Sequence, residues 1–135
     1  MPISDCKIID LPKVCDDRGS LTFLENSNHI PFDIKRIYYL YNIPENKSRG
    51  AHGHINLEQL IIAINGKFDI TLDDTTSKKS FHLNSPNQGL YVSKGIWRNI
   101  NNFSENAVCM VLASLPYDEN DYIRNYDEFI KFMNK

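Results

Sequence analysis

Two histidines one residue apart, His52 and His54 in Arg49-Gly50-Ala51-His52-Gly53-His54, are the side chains best placed by type and spacing to do chemistry. An extended strand turns residues i and i+2 to one face, so the two imidazoles project together. If that strand runs on unbroken, Glu58, Leu60, Ile62 and Ile64 share the face, while Gln59 points away and stays out of the site. Two imidazoles and a carboxylate at the mouth of an apolar interior permit two kinds of chemistry. They can hold a divalent ion, or a neutral imidazole can take a proton from carbon and return it. A pair of surface histidines at a strand start would show the same spacing. His29 and His82 lie in polar segments and are given no role.

The elements that must position this group read as short strands. Ser20 to Glu25 follows an Asp16-Asp17-Arg18-Gly19 turn, and Arg36 to Ile43 is rich in Tyr and Ile. Leu57 to Ile64 and Lys67 to Asp73 flank Asn65-Gly66, a two-residue hairpin signal in which both positions need positive φ. Further strands are expected at Lys79 to Leu83, Gly89 to Val92, Trp97 to Asn101 and Ala107 to Ala113. From Asp121 to Met133, apolar residues recur every three or four positions, which predicts an amphipathic helix capped by Asn120 or Asp121. The expectation is an all-β sandwich or barrel over about 16–115, closed by a C-terminal helix over about 121–133.

Composition narrows the function classes. The 135 residues suit a single domain, 1–135, able to bury a core without a metal or disulfide staple. Fifteen Lys plus Arg against seventeen Asp plus Glu give a net charge of −2, which argues against a nucleic-acid polymer as partner. No apolar run approaches a membrane span, and MPISDCKIIDLPKV has no basic segment followed by an apolar one, so neither membrane nor leader is expected. Cys6, Cys15 and Cys109, three residues without CxxC spacing, suit free thiols in a reducing cytoplasm. The apolar strands at 20–25 and 36–43 exceed what one small barrel needs and predict a homodimer.

His-x-His-x3-Glu followed by Gly66 resembles the first motif of the cupin barrel, whose three residues ligate metal in many members. The second cupin motif, Pro-x-Gly-x-x-His-x3-Asn, corresponds to residues 93–102. Gly95 and Asn102 match, but Arg98 stands where the last ligand belongs. A guanidinium has no lone pair to give a metal, so no metal and no other cofactor is expected. A closer resemblance runs from about Asp16 to Phe129. The stretches "IPFDIKRIYYLYNIPENKSRG", "RGAHGHINLEQLIIAINGKFDITLDD", "GLYVSKGIWRNINNFSENAVCMVLAS" and "YDENDYIRNYDEF" are similar to the WxcM/FdtA-type sugar 3,4-ketoisomerases. Two positions depart from many relatives: Ile55 stands where Lys is frequent, and Arg98 where His is frequent.

That resemblance implies a metal-independent, dimeric cupin jelly-roll acting on a dTDP-sugar. It would convert dTDP-4-dehydro-6-deoxyglucose to a dTDP-3-dehydro-6-deoxyhexose, en route to 3-amino-3,6-dideoxyhexoses of surface glycans such as an O-antigen or S-layer. Such chemistry needs a base with pKa near neutrality and donors for the oxygen that takes negative charge. The family's catalytic His carries onto His54 as proton shuttle, with His52 supporting it or serving as second carrier. Tyr38 corresponds to a pocket tyrosine; Arg49 suits a bidentate grip on diphosphate or enediolate, and Arg18 and Arg98 are further candidates for lining the pocket. Glu58, without a metal to bind, could orient an imidazole, and Tyr91 could stack on thymine. Three rivals use the same residues: a metal-dependent cupin with His52, His54 and Glu58 as ligands, a non-catalytic sugar-nucleotide-binding module, and a sugar-nucleotide epimerase.

Overall fold

The computed structural model describes residues 2–26, 28–44 and 46–135. A short helix α1 (Pro2–Asp5) precedes β1 (Lys7–Asp10), β2 (Lys13–Asp16), β3 (Gly19–Thr22), β4 (Arg36–Leu40), β5 (Arg49–His54) and β6 (Gln59–Asn65). Then follow β7 (Phe68–Asp73), β8 (Lys78–Leu83), β9 (Gln88–Val92), β10 (Trp97–Asn101) and β11 (Val108–Ala113). A 3-10 turn (Glu119–Asp121), β12 (Tyr122–Ile123) and helix α2 (Tyr126–Met133) complete the chain. Two five-stranded sheets, ordered β1-β9-β6-β11-β4 and β12-β5-β10-β7-β8, make the expected cupin jelly-roll, with β2-β3 as a separate hairpin. No helix among the described residues is long and apolar enough to cross a membrane.

Alternation along the strands divides the apolar residues between two clusters. Ile61, Ala63, Val92, Cys109 and Val111 of the first sheet meet Phe68, Ile70, Leu72, Leu83 and Ile100 of the second in the barrel interior. Leu60, Ile62, Tyr91 and Leu112 face the other way, against Leu11, Ile30 and Phe32. β6 is therefore covered on both faces, which is why its sequence is a continuous apolar run.

Four expectations change. Asn65-Gly66 does not close a hairpin: β6 and β7 belong to different sheets, and the dipeptide turns the corner between them. Only Gly66 has positive φ, at 71°, and a Cβ there would come within 2.4 Å of Ser104 Oγ, so conformation and space both require glycine. The strand through the histidines is also broken. β5 lies in the second sheet and β6 in the first, so the chain crosses between sheets over 55–58 and the alternation restarts. Leu60 and Ile62 consequently face away from the barrel interior, and Gln59 faces into it.

The C-terminal helix starts at Tyr126, not Asp121, and its cap is Asn125, whose side chain accepts from the Glu128 N–H at 3.0 Å. Residues 121–125 are withdrawn from the helix because Tyr122 and Ile123 pair with His54 and Gly53. The helix seats Phe129, which is fully buried, against Gly53. A Cβ on Gly53 would lie 2.8 Å from that ring, which explains the glycine between the two histidines. The early strand is Gly19–Thr22 rather than Ser20 to Glu25, and the sheets begin before residue 16, since β1 pairs with β9. The sequence signal missed β1 and β2, each only four residues long.

Candidate active site

A cavity of about 390 Å³ opens at one end of the barrel. Strand parity decides what lines it. On β4, Arg36 and Tyr38 face the cavity, while Ile37 and Tyr39 face out and are more than half exposed. β5 contributes Arg49 and His52, β6 contributes Gln59 and Ile61, and β10 contributes Arg98, the cross-strand partner of His52. The tail segment closes one wall with Tyr122 and Arg124.

The two histidines are not equivalent. His52 lines the cavity, and its Nε2 is buried without a hydrogen-bond partner. His54 lies behind it with no exposed surface, its ring centroid 4.4 Å from that of Tyr122, because β12 is laid directly over it. His54 Nδ1 is 3.1 Å from Asp121 Oδ2, and Asp121 also accepts from the Asn56 and Leu57 N–H groups at 2.8 and 3.2 Å. A carboxylate accepts only, so the His54 proton sits on Nδ1 and Nε2 carries the lone pair.

Burial, followed by the Arg98 charge, pushes His52 down to about 3. The same two causes lower His54, in spite of the Asp121 carboxylate beside it. Both imidazoles are therefore neutral at pH 7, and His54 holds Asp121 by a hydrogen bond rather than as an ion pair.

The cavity is cationic. Arg36, Arg49, Arg98 and Arg124 line it, and among the described residues no carboxylate does. Arg98 is 1% exposed; Nη2 donates to the Ile96 carbonyl at 2.9 Å and Nη1 to Gln59 Oε1. Burial pushes its pKa down to about 10, which leaves it charged at neutral pH. Arg36 lies over Tyr38 and Tyr117, with Nε and Nη2 buried and unpartnered. Arg124 is anchored outside by Glu119 and rests on the Tyr122 ring. Buried guanidinium donors without partners suit an anionic ligand.

Of the residues singled out from the sequence, Tyr38, Arg49, His52 and Arg98 come together here, with His54 behind them. Three do not line the cavity. Glu58 falls on the other side of the chain crossing, where it accepts a 2.5 Å hydrogen bond from Tyr91. Tyr91 itself stacks on Phe32 in the outer cluster and is not among the residues that line the cavity. Arg18 sits at the tip of the β2–β3 hairpin, its side chain 85% exposed and paired with Asp16. With Glu58 turned away, no group of three His, Cys, Asp or Glu side chains among the described residues is arranged to hold a metal.

Gln59, Arg36, Asp121, Tyr122 and Arg124 were not expected. Arg36 was legible, since it precedes Tyr38 by two on one strand. The others depended on the sheet crossing and on reading the tail as helix.

Comparison with known proteins agrees with this architecture. A curated relative from Aneurinibacillus thermoaerophilus, TDP-4-oxo-6-deoxy-alpha-D-glucose-3,4-oxoisomerase, is 44% identical over 129 residues, spanning 96% of this chain and 93% of the relative. The crystal structure of a 3,4-ketoisomerase from Helicobacter canadensis superposes with TM-score 0.94 at 49% identity, covering 97% of this chain and 98% of that one. A His-to-Asn variant of the 3,4-ketoisomerase QdtA from Thermoanaerobacterium thermosaccharolyticum, in complex with TDP-4-keto-6-deoxyglucose, gives TM-score 0.93 at 40% identity, covering 96% and 94%. The family model FdtA (WxcM-like, C-terminal) matches residues 4–134, and with this fold and these relatives the chain belongs to that family.

Proposed function

We propose that the protein is a sugar-nucleotide 3,4-ketoisomerase that converts dTDP-4-dehydro-6-deoxyglucose to a dTDP-3-dehydro-6-deoxyhexose for deoxysugar biosynthesis. The observation that carries this reading is His52 paired across the strands with Arg98, a neutral imidazole beside a guanidinium that is charged at neutral pH, in a cavity lined among the described residues by four arginines and no carboxylate. The C3 hydrogen leaves as a proton to the imidazole, and its electron pair moves toward the C4 carbonyl oxygen. The enediolate then receives a proton at C4, while the O3 proton is lost and O4 gains one. One proton moves from C3 to C4 and one from O3 to O4, so no oxidant or reductant enters the balance.

His52, rather than His54, is the carrier in this reading, because its ring meets the cavity and that of His54 is covered by Tyr122. His54 and Asp121 hold the wall behind it. Arg98 and Tyr38 suit the oxygen that becomes negative, and Arg36, Arg49 and Arg124 suit the diphosphate. The test is incubation with dTDP-4-dehydro-6-deoxyglucose in D2O with the product followed by NMR. The ketone is expected to move to C3; a ketone that stays at C4 while a neighbouring carbon inverts would make the protein an epimerase.

No metal enters this route. Turnover is expected to survive exhaustive EDTA treatment, with Fe, Mn, Zn and Ni far below one equivalent per chain by elemental analysis. Loss on chelation and recovery with one ion would favour the metal-dependent rival.

The reading includes a homodimer in the cytoplasm. Phe23 after the hairpin, Ile37 on β4 and Ile64 on β6 expose apolar side chains around a groove on the outer face of the first sheet, and Val14 and Leu21 expose theirs on the other face of the β2–β3 hairpin. A surface of that kind on so small a protein is suited to a second copy of the chain. Light scattering at micromolar concentration is expected to give twice the 15.6 kDa chain mass, and a monomer alone would contradict it. Among the described residues no disulfide joins Cys6, Cys15 or Cys109, as suits a reducing compartment.

A further inference from the structure

Gln59 stands between two groups with unequal hydrogen-bonding abilities. A guanidinium only donates, so the amide oxygen must face Arg98, and Oε1 accepts from its Nη1. The amide nitrogen is thereby turned to Tyr38, where Nε2 donates to the phenolic oxygen at 3.1 Å. An amide whose two ends are often interchangeable has one orientation here. Neither partner of this arrangement is loose: Arg98 and Gln59 are both buried, and the Ile96 carbonyl holds the other arm of the guanidinium.

The phenolic oxygen of Tyr38 already receives a hydrogen bond, so its own proton is left to donate, and the space it lines is the cavity. Burial raises the Tyr38 pKa, with Arg98 in opposition, so the O–H stays intact. We propose that Gln59 is a positioning residue that relays the Arg98 charge to Tyr38 and directs the phenol O–H at the sugar oxygen on which negative charge develops. This rests on the ketoisomerase reading and assigns what aims its oxyanion donor.

The discriminating variant is Gln59→Glu. Its carboxylate keeps the contact to Arg98 but accepts from Tyr38, which turns the phenolic proton inward, away from the substrate. Steady-state kinetics on dTDP-4-dehydro-6-deoxyglucose should compare the wild type, Gln59→Glu, Tyr38→Phe and the double variant, with thermal unfolding of each. Gln59→Glu is expected to lower kcat about 100-fold, the order for losing one oxyanion donor, with KM little changed. Added to Tyr38→Phe it should cost no more than about twofold, because both remove the same donor. Wild-type kcat in a folded Gln59→Glu protein, a rise in KM alone, or losses that multiply in the double variant would overturn the proposal. Should Gln59→Glu fail to fold, Gln59→Met preserves the volume, removes both hydrogen bonds and carries the same double-variant test. A wild-type protein with no turnover would instead overturn the ketoisomerase reading, and this inference with it.

Discussion

His52→Asn is expected to lower isomerisation by about 10²–10⁴-fold, the range a positioned general base contributes, and to stop deuterium exchange at C3 equally. Asn keeps a polar group of similar size at the cavity wall but cannot take a proton, so circular dichroism and thermal unfolding should stay near wild type. The pH profile of kcat/KM gives an independent check. With His52 pushed down to about 3 by burial and Arg98, the base is already neutral from that point upward. The acid limb of the profile should therefore lie well below the ordinary histidine value of about 6.5. A His52→Asn protein that keeps more than about a tenth of the wild-type rate would return the central role to His54.

Asp121→Ala is expected to be the most damaging substitution for stability among the residues around the site. Asp121 is 6% exposed and ties three donors of the 54–57 turn to the tail: His54 Nδ1–H, Asn56 N–H and Leu57 N–H. The exposed Asn56 amide can turn to water, but the buried His54 and Leu57 donors would be stranded. At about 1–3 kcal/mol for each unsatisfied buried group, the loss is about 2–6 kcal/mol, a large share of a typical domain stability. Urea unfolding should show this as a lower midpoint at similar slope. Activity should fall with it, since Tyr122 and Arg124 line the cavity on the same tail. A midpoint shift worth less than about 1 kcal/mol would mean that water replaces all three bonds.

The residues proposed to do the chemistry were legible because local rules reached them. His52 and Arg98 were recognisable from motif spacing, and parity along one extended strand pairs Tyr38 with Arg36. Short alternating segments separated by turn residues were enough for an all-β barrel. The same parity rule failed between His54 and Gln59, because it holds only while the chain stays in one sheet, and there it changes sheets. Glu58 was lost from the cavity for that reason, and Gln59 was gained; Tyr91, on β9, pairs with Leu60 and shares its outward face.

The tail shows the same division. Its three- and four-residue apolar spacing specifies a helix, and from Tyr126 to Met133 that is what forms. Over 121–125 the local preference loses to two backbone pairings with β5 and to the hydrogen bonds that Asp121 makes to the turn after His54. Sequence by itself determined the barrel class and the family, and it singled out His52 and Arg98 as candidates for the site. Tertiary structure alone decided which histidine meets the cavity, because the cover over His54 comes from a strand 68 residues further along the chain. Long-range pairing of that kind depends on where the second sheet has an unpaired edge, which no window of neighbouring residues encodes.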